Sequence, residues 1–190
     1  QIVVEEVIRI GRRSLATHIV MKPSHTSRYA RDEQVESIYR SHGFDVDRWG
    51  TYLVDLSQSE DELWAGLKRA GRKCIKKAQS QGLRMARITD HDEFVERYWE
   101  NYVLAEEYRG RTVGALTMEQ LQEDTEDNYR YYVAEDADSR VLACLGMCVY
   151  NGVATEIQSA LSPAAFEEKI PAQDFLHWEM MLEARRIGCL

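Results

Sequence analysis

The chain has 190 residues, which is enough for one complete domain and part of a second, and 44% of them are hydrophobic while 29% are charged. This composition excludes a disordered chain, and the net charge of −8 argues against a protein that coats nucleic acid over its whole surface. No apolar run approaches the roughly 20 residues of a membrane helix, and Glu5, Glu6 and Arg9 interrupt the start, so we expect a cytoplasmic protein without a signal peptide.

The first part of the chain predicts few elements. Residues 16–21 form an apolar stretch, and a helix is expected from about Asp32 to Ser41, ended by Gly43 in the C′ position. Residues 51–56, Thr-Tyr-Leu-Val-Asp-Leu, are rich in strand-forming side chains and predict a strand.

A capping box predicts the next helix. Ser59 and Glu62 have the spacing at which each side chain bonds the backbone N–H of the other, so a helix should begin here. Apolar residues recur along one side of it until Gly82 stops it.

From Leu83 the order of elements becomes informative. A short strand to Ile88 precedes a helix opened by Asp90 and a shorter helix from Thr117. Three strands follow, at 129–135, 141–150 and 153–161, and a last helix runs from about Pro171 to Ile187. The dipeptide Asn151-Gly152 predicts a type I′ hairpin between the second and third of these strands, and residues 187–190 look like the start of a buried strand.

This order predicts an α/β fold with an α+β mixed sheet and resembles that of the GNAT-like acyl-CoA N-acyltransferase fold without its closing strand. Particular residues narrow the resemblance to the FemAB family of peptidoglycan-bridge aminoacyltransferases. They are Tyr52-Leu-Val-Asp-Leu-Ser57, Glu60-Asp-Glu-Leu-Trp64, Arg72-Lys-Cys-Ile-Lys-Lys-Ala78, Gly82-Leu-Arg-Met85, Gln173-Asp-Phe-Leu-His-Trp178 and Ala184-Arg-Arg-Ile-Gly188.

The resemblance implies a domain order and a reaction. Residues 1–58 would be the C-terminal part of a first GNAT-like half, 59–82 a basic linking helix, and 83–190 a second GNAT-like domain. It also implies an aminoacyl-tRNA donor and, as acceptor, a peptidoglycan precursor or another small amine.

Residues 63–89 contain no acidic side chain, and six cations fall on the predicted helix. They are Lys68, Arg69, Arg72, Lys73, Lys76 and Lys77. Like charges four residues apart repel each other, so an anionic partner is expected, and the phosphate backbone of tRNA is a candidate. A solvated helix face and an anionic substrate at a membrane surface are the alternatives.

Acyl-CoA is the alternative donor, but its usual binding loop is absent from the sequence. Such enzymes resemble one another in a glycine-rich loop whose amides hold the pyrophosphate after the fourth strand. Residues 162–176 contain no glycine, and Pro171 lacks an amide hydrogen. We therefore expect no cofactor, with acyl-CoA as the second possibility.

Direct transfer from an activated ester needs a proton acceptor and aligned substrates, without a covalent nucleophile. Glu156 is the candidate general base on the third strand of the meander, and Gln158 points the same way by parity. Gln158 and the adjacent Ser159 are assigned to substrate binding, and Arg109 and Arg111 are candidate clamps for a phosphate or carboxylate.

The sequence also bears on whether the chain has a metal site and whether it is an enzyme. Four cysteines and five histidines lack the spacing of metal ligands, so no metal site is assigned. No single motif is a catalytic signature, so a binding module that keeps the fold without the chemistry is the alternative to an enzyme.

Overall fold

The structure is a computed structural model that describes residues 2–21, 33–47, 52–113, 117–123 and 127–190. The chain divides into two compact units, Gln1–Val54 and Asp55–Leu190. The described residues of the first unit contain two helices, α1 (Ile2–Arg13) and α2 (Glu33–Ser41).

Helix α2 confirms the prediction for this part of the chain, although Asp32 lies outside the described residues. It ends as predicted, because Gly43 has a φ of +83° and the N–H of Phe44 reaches back to the carbonyl of Tyr39 at 3.1 Å. Helix α1 was not predicted, and residues 16–21 form no regular element.

The strand predicted at residues 51–56 is wrong over its described part, since residues 52–56 form no strand, and Thr51 lies outside the described residues. Tyr52 is fully exposed and Leu53 is 67% exposed. Side chains of this type favour a strand because they pack well on a paired, half-buried sheet surface. Where the segment has no such surface to pack on, they do not produce a strand.

The second unit begins with two helices where one was predicted, α3 (Glu60–Gly66) and α4 (Arg69–Ser80). The capping box is confirmed: the N–H of Ser59 donates to Glu62 at 2.8 Å, and that of Glu62 donates to Ser59 at 3.3 Å. The chain turns out of helical geometry at Leu67 and Lys68, with ψ near 142° and 147°. Gly66 weakens the helix just before this corner, because glycine disfavours helical backbone.

Four antiparallel strands form one sheet in the order β1-β2-β3-β4. They are β1 (Arg84–Ile88), β2 (Tyr129–Glu135), β3 (Val141–Tyr150) and β4 (Val153–Leu161). The strand predicted to end at Ile88 is confirmed as β1, and the predicted meander is confirmed as β2, β3 and β4. Asn151 and Gly152 have φ values of 49° and 74°, which is the backbone of the predicted type I′ turn.

The remaining helices are α5 (His91–Tyr108), α6 (Met118–Glu123), α7 (Pro163–Glu167) and α8 (Ala172–Arg186). Helices α5, α6 and α8 were predicted, and α7 was not. Ser162 caps α7 by accepting a hydrogen bond from the N–H of Ala165 at 3.2 Å. Among the described helices, none combines the length and the apolar character that crossing a bilayer requires.

The sheet is packed on both faces, because alternate residues of β2 and β3 point to opposite sides. Tyr132 and Leu145 join a core that also holds α4 and α8. Tyr131 and Cys144 join a second core that holds α5 and α6, with Tyr131 stacked on Phe94 at 4.3 Å between ring centroids. The predicted linking segment, 59–82, therefore lies inside the second unit, with α4 packed against the same core as α8.

A bulge in β4 overturns the predicted parity of Glu156 and Gln158. Gly146 pairs with Gln158, but its neighbour Met147 pairs with Glu156, so Ile157 is an extra residue in β4. Glu156 consequently shares the face of Met147, on the α8 side, whereas Gln158 lies on the opposite face.

The C-terminal residues do not form the predicted strand. Helix α8 ends in a tight cap at Gly188, where the N–H of Cys189 reaches the carbonyl of Ala184 at 2.9 Å. Cys189 is buried, and the N–H of Leu190 donates to the carbonyl of Gly152 at 2.9 Å.

Because of the bulge, we predict that a side chain at position 146 destabilises the fold. A Cβ atom there would lie 3.1 Å from both Ile157 Cγ1 and Gln158 Oε1, so Gly146→Ala should lower the free energy of unfolding by about 1–2 kcal/mol. Chemical denaturation of the two purified proteins measures the difference.

Gly71→Ala is the matched control. Gly71 lies inside α4, and no neighbouring atom comes within 4 Å of the place that a Cβ atom would take, so alanine should stabilise the helix by roughly 0.5–1 kcal/mol. Equal effects of the two substitutions would contradict the close approach of the bulge to Gly146.

Candidate active site

A cleft of about 310 Å³ opens beside β4, which among the described strands pairs with β3 alone. The C-terminal half of α5, the end of β4, α7 and the first turns of α8 surround it. Its lining residues are Tyr102, Ala105, Glu106, Arg109, Ser159, Ala160, Leu161, Phe166, Gln173 and His177. A strand edge presents unpaired backbone N–H and C=O groups, so this cleft can offer hydrogen bonds to a ligand.

Two acid–base groups meet at the cleft. His177 Nε2 lies 2.7 Å from Glu156 Oε2, and both side chains are more than a third exposed. Gln173, one turn earlier on α8, places its amide nitrogen 3.3 Å from the same imidazole nitrogen. Glu156 reaches α8 because the bulge turns it to that face of the sheet.

The environment keeps Glu156 ionised. The hydrogen bond from His177 lowers the pKa of Glu156, partial burial opposes that effect, and the Ser159 hydroxyl lowers it further. A carboxylate at 2.7 Å requires a proton on Nε2 of His177, so the neutral imidazole carries its hydrogen there. Its other nitrogen, Nδ1, is left as the acceptor.

Arg109 faces the cleft from the end of α5. It forms an ion pair with Glu106 at 3.0 Å, and its guanidinium carbon lies 5.2 Å from the centre of the Phe166 ring. These contacts hold the guanidinium group in place while the ion pair balances part of its charge. Arg111 lies just beyond, exposed and outside the cleft lining.

Gln158 is separated from the other predicted site residues. Its side chain is buried on the face opposite Glu156, and Oε1 has no hydrogen-bond partner among the described residues. The structure therefore gathers Arg109 and Ser159 around the cleft with Glu156 at its margin, and leaves Gln158 and Arg111 out of its lining.

His177 and Gln173 were not predicted as site residues. Their spacing of four along a predicted helix was a readable signal that both lie on one face. The contact of His177 with Glu156 joins residues 21 apart through the bulge, and sequence periodicity does not reveal it.

The predicted basic surface lies on α4. Its exposed cations are the N-cap residue Lys68 and, within the helix, Arg69, Lys73, Lys76 and Lys77. Lys76 lies 5.8 Å from the Trp64 ring centre, and Lys77 donates to the carbonyl of Lys169. We call these five residues the basic face of α4.

Arg72 differs from the other cations of this segment. Its Nη1 lies within hydrogen-bond distance of the carbonyls of Trp64, Ala65 and Leu67, at 3.3 Å and 2.9 Å for the first two. These carbonyls lie at the end of α3, where a helix lacks most of its backbone donors, and the N–H of Leu67 reaches only the carbonyl of Trp64. Arg72 therefore stabilises the corner between α3 and α4.

The fold is similar to that in the crystal structure of FemX. The superposition has a TM-score of 0.58 with 11% sequence identity and covers 70% of this chain and 49% of FemX. The chain therefore spans about half the length of FemX. At this identity the likeness shows the fold, and the GNAT-like fold implied by the sequence resemblance to the FemAB family is confirmed.

Weaker similarities extend to two other solved structures. L-PGS from Bacillus licheniformis matches with a TM-score of 0.46 and 14% identity over 64% of this chain and 37% of its own. An aminoglycoside acetyltransferase from an uncultured soil metagenomic sample matches with a TM-score of 0.42 and 13% identity, over 58% of this chain and 75% of its own. No protein-family model and no curated protein matches the chain.

The corner between α3 and α4 yields a stability prediction. Arg72→Gln removes a charged donor from three helix-end carbonyls and should lower the free energy of unfolding by about 1–2 kcal/mol, measured by urea denaturation. Lys73→Gln is the adjacent control and should change it by less than about 0.5 kcal/mol, because that side chain is exposed. If both variants unfold like the wild type, Arg72 does not stabilise the corner.

Proposed function

We propose that the protein is an acyltransferase of FemAB type that moves an aminoacyl group from charged tRNA directly to an amine of a cell-wall precursor in the cytoplasm. The observation that carries this proposal is the cleft beside β4, where the Glu156–His177 pair and Arg109 meet on a fold shared with FemX. The chain spans about half the length of FemX, so the proposed activity is that of the complete protein.

The cleft supplies what this reaction requires. An amine attacks only when it is deprotonated, and the Glu156–His177 pair offers a proton acceptor beside the cleft. The developing oxyanion needs hydrogen-bond donors, and the open edge of β4 and Arg109 present such donors to the cleft. A tRNA ester is already activated, so no covalent nucleophile is needed.

The charge distribution supports a polyanionic donor. The protein has a net charge of −8, yet the basic face of α4 concentrates five exposed cations on one helix and its N-cap residue. Phosphates bound there release counterions, which is the main driving force of sequence-independent binding to nucleic acid. Contact between this face and the tRNA backbone is part of the proposal.

Acyl-CoA is a less suitable donor for the segment after β4. Pro163 contributes no amide, and the N–H of Ala165 is already bonded by Ser162. Glu168 lies beyond this short helix and pairs with Arg140 at 2.6 Å and 2.9 Å. Few free donors are left for a pyrophosphate group at this point.

The first test offers the complete protein a charged tRNA with amine acceptors and, separately, acetyl-CoA with the same acceptors. We expect loss of the tRNA ester that depends on both protein and acceptor, and at least a tenfold lower rate for Glu156→Gln. Arg109→Ala should also lower kcat/KM, because it removes a donor from the cleft.

The control is Glu123→Gln, which removes an exposed carboxylate from α6 and should leave the rate unchanged. Turnover of acetyl-CoA without tRNA would replace the proposed donor by acyl-CoA. Absence of transfer from either donor by the wild-type protein would favour a binding module.

The second test concerns the basic face of α4. Arg69→Gln with Lys73→Gln should weaken tRNA binding and reduce the slope of log K against log salt by roughly one unit for each phosphate that the variant no longer binds. Arg72 stays unchanged because it stabilises the α3–α4 corner.

A charge-matched control separates this surface from net charge. Arg97→Gln with Arg130→Gln removes two cations from α5 and β2, and tRNA binding should keep the wild-type slope. Equal slopes for both double variants would assign the basic face of α4 a role as a solvated surface or as a site for another anion.

A further inference from the structure

We infer that the imidazole of His177 takes the proton from the acceptor amine and that Glu156 acts as the positioning residue for that imidazole. This inference rests on the proposed function and deepens it, because it reassigns the proton acceptor from the residue expected from the sequence. His177 lines the cleft, whereas Glu156 is outside the lining and contacts the imidazole at 2.7 Å.

The hydrogen bond determines which nitrogen can accept a proton. Glu156 Oε2 receives the hydrogen on Nε2 of His177, so this nitrogen is already engaged. Nδ1 has no hydrogen-bond partner in the part of the chain that the structure describes, and 39% of the side chain is exposed. A neutral imidazole held in this tautomer presents a free lone pair, which is the arrangement that a general base needs.

Helix α8 holds the imidazole at the cleft. Phe175, Leu176 and Trp178 flank His177 along the chain and are buried in the core, so the helix cannot rotate without exposing them. Gln173 contacts Nε2 from one turn earlier at 3.3 Å. With a hydrogen on Nε2, the group that suits this position is the amide oxygen of Gln173.

The charged groups around the cleft favour a protonated imidazole in the transition state. From β4, the carboxylate of Glu156 touches the ring that becomes positive. From α5, Glu106 and Arg109 face the same cleft but pair with each other at 3.0 Å, which limits the repulsion between Arg109 and an imidazolium. From α7, the lining residue is the uncharged Phe166.

Glu156 itself is poorly suited to receive the proton. Its carboxylate already accepts a hydrogen bond from His177, and this bond and the Ser159 hydroxyl lower the pKa of Glu156, which makes it a weaker base. The same contacts suit a group that orients and stabilises a neighbouring cation. This division of roles is the one that a carboxylate and an imidazole take in catalytic triads.

The proposed step balances without a further reactant. The acceptor nitrogen forms a bond to the carbonyl carbon of the aminoacyl ester while its proton moves to Nδ1 of His177. The ester C–O bond to the tRNA ribose then breaks, and the same proton passes from Nδ1 to the departing ribose oxygen. Glu156 stays ionised throughout, and no electrons are transferred to or from a cofactor.

The experiment measures kcat and KM against pH for the complete wild-type protein and for His177→Gln, Glu156→Gln and Asp174→Asn. We expect His177→Gln to lower kcat by about 10²–10⁴-fold and to abolish the acid limb of the rate profile, with little change in KM. Glu156→Gln should lower kcat less than His177→Gln does and should retain an acid limb. Asp174→Asn, an exposed change on the same helix, should keep the wild-type profile.

Chemical rescue provides a readout that a structural role would not produce. His177→Ala opens space at the cleft, and added imidazole should restore part of its rate but should not restore that of Glu156→Gln. Circular dichroism and thermal unfolding of each variant establish that the fold is retained.

The outcomes separate the two proposals. Transfer by wild type together with an unchanged pH profile in His177→Gln overturns the role of His177 and leaves the proposed function standing. A larger loss of kcat in Glu156→Gln than in His177→Gln, without rescue by imidazole, assigns the proton to Glu156. Absence of transfer by the wild-type protein overturns the proposed function, and the role of His177 falls with it.

Discussion

The candidate site depends on one irregularity, the extra residue that β4 carries at Ile157. Without it, Glu156 and Gln158 would lie on the same face of the sheet, and Glu156 would point away from α8. The bulge requires a close approach to β3, which Gly146 permits because it has no Cβ. The contact of Glu156 with His177 follows from that local change in register, so a small backbone feature determines which side chains meet.

The two cores on either face of the sheet fix the positions of the helices that carry the site residues. Leu145 and Met147 bind α8 to one face of the sheet, and Cys144 and Ala160 lie under α5 on the other. Both helices therefore reach the same open edge of β4, with the end of one and the beginning of the other on either side of the cleft. Burial also raises the pKa of Cys144 to about 12, so that thiol serves packing and stays protonated near neutral pH.

Charge is divided between two surfaces of the second unit. The cleft contains a neutralised pair, Glu106 with Arg109, and an imidazole beside a carboxylate, an arrangement for handling a proton. The basic face of α4 is an arrangement for holding phosphates. Arg72 differs from the cations of the basic face of α4, because its Nη1 is bonded to carbonyls at the end of α3. The sequence alone does not distinguish Arg72 from the neighbouring cations, because its carbonyl partners depend on the break between α3 and α4.

Local features could be predicted from the amino-acid sequence, since these depend on a few adjacent residues. The capping box at Ser59, the Asn151-Gly152 turn and, apart from α7, the order of elements from β1 to α8 were predicted and are confirmed. The basic segment could also be predicted, although the corner at Leu67 could not.

The remaining features depend on how the elements pack. Residues 52–56 formed no strand despite their side chains, because a strand depends on pairing partners that composition does not supply. The pairing of Glu156 with His177 and the separation of Gln158 from the cleft depend on an inserted residue and on helix packing, which a period of two or 3.6 residues cannot reveal.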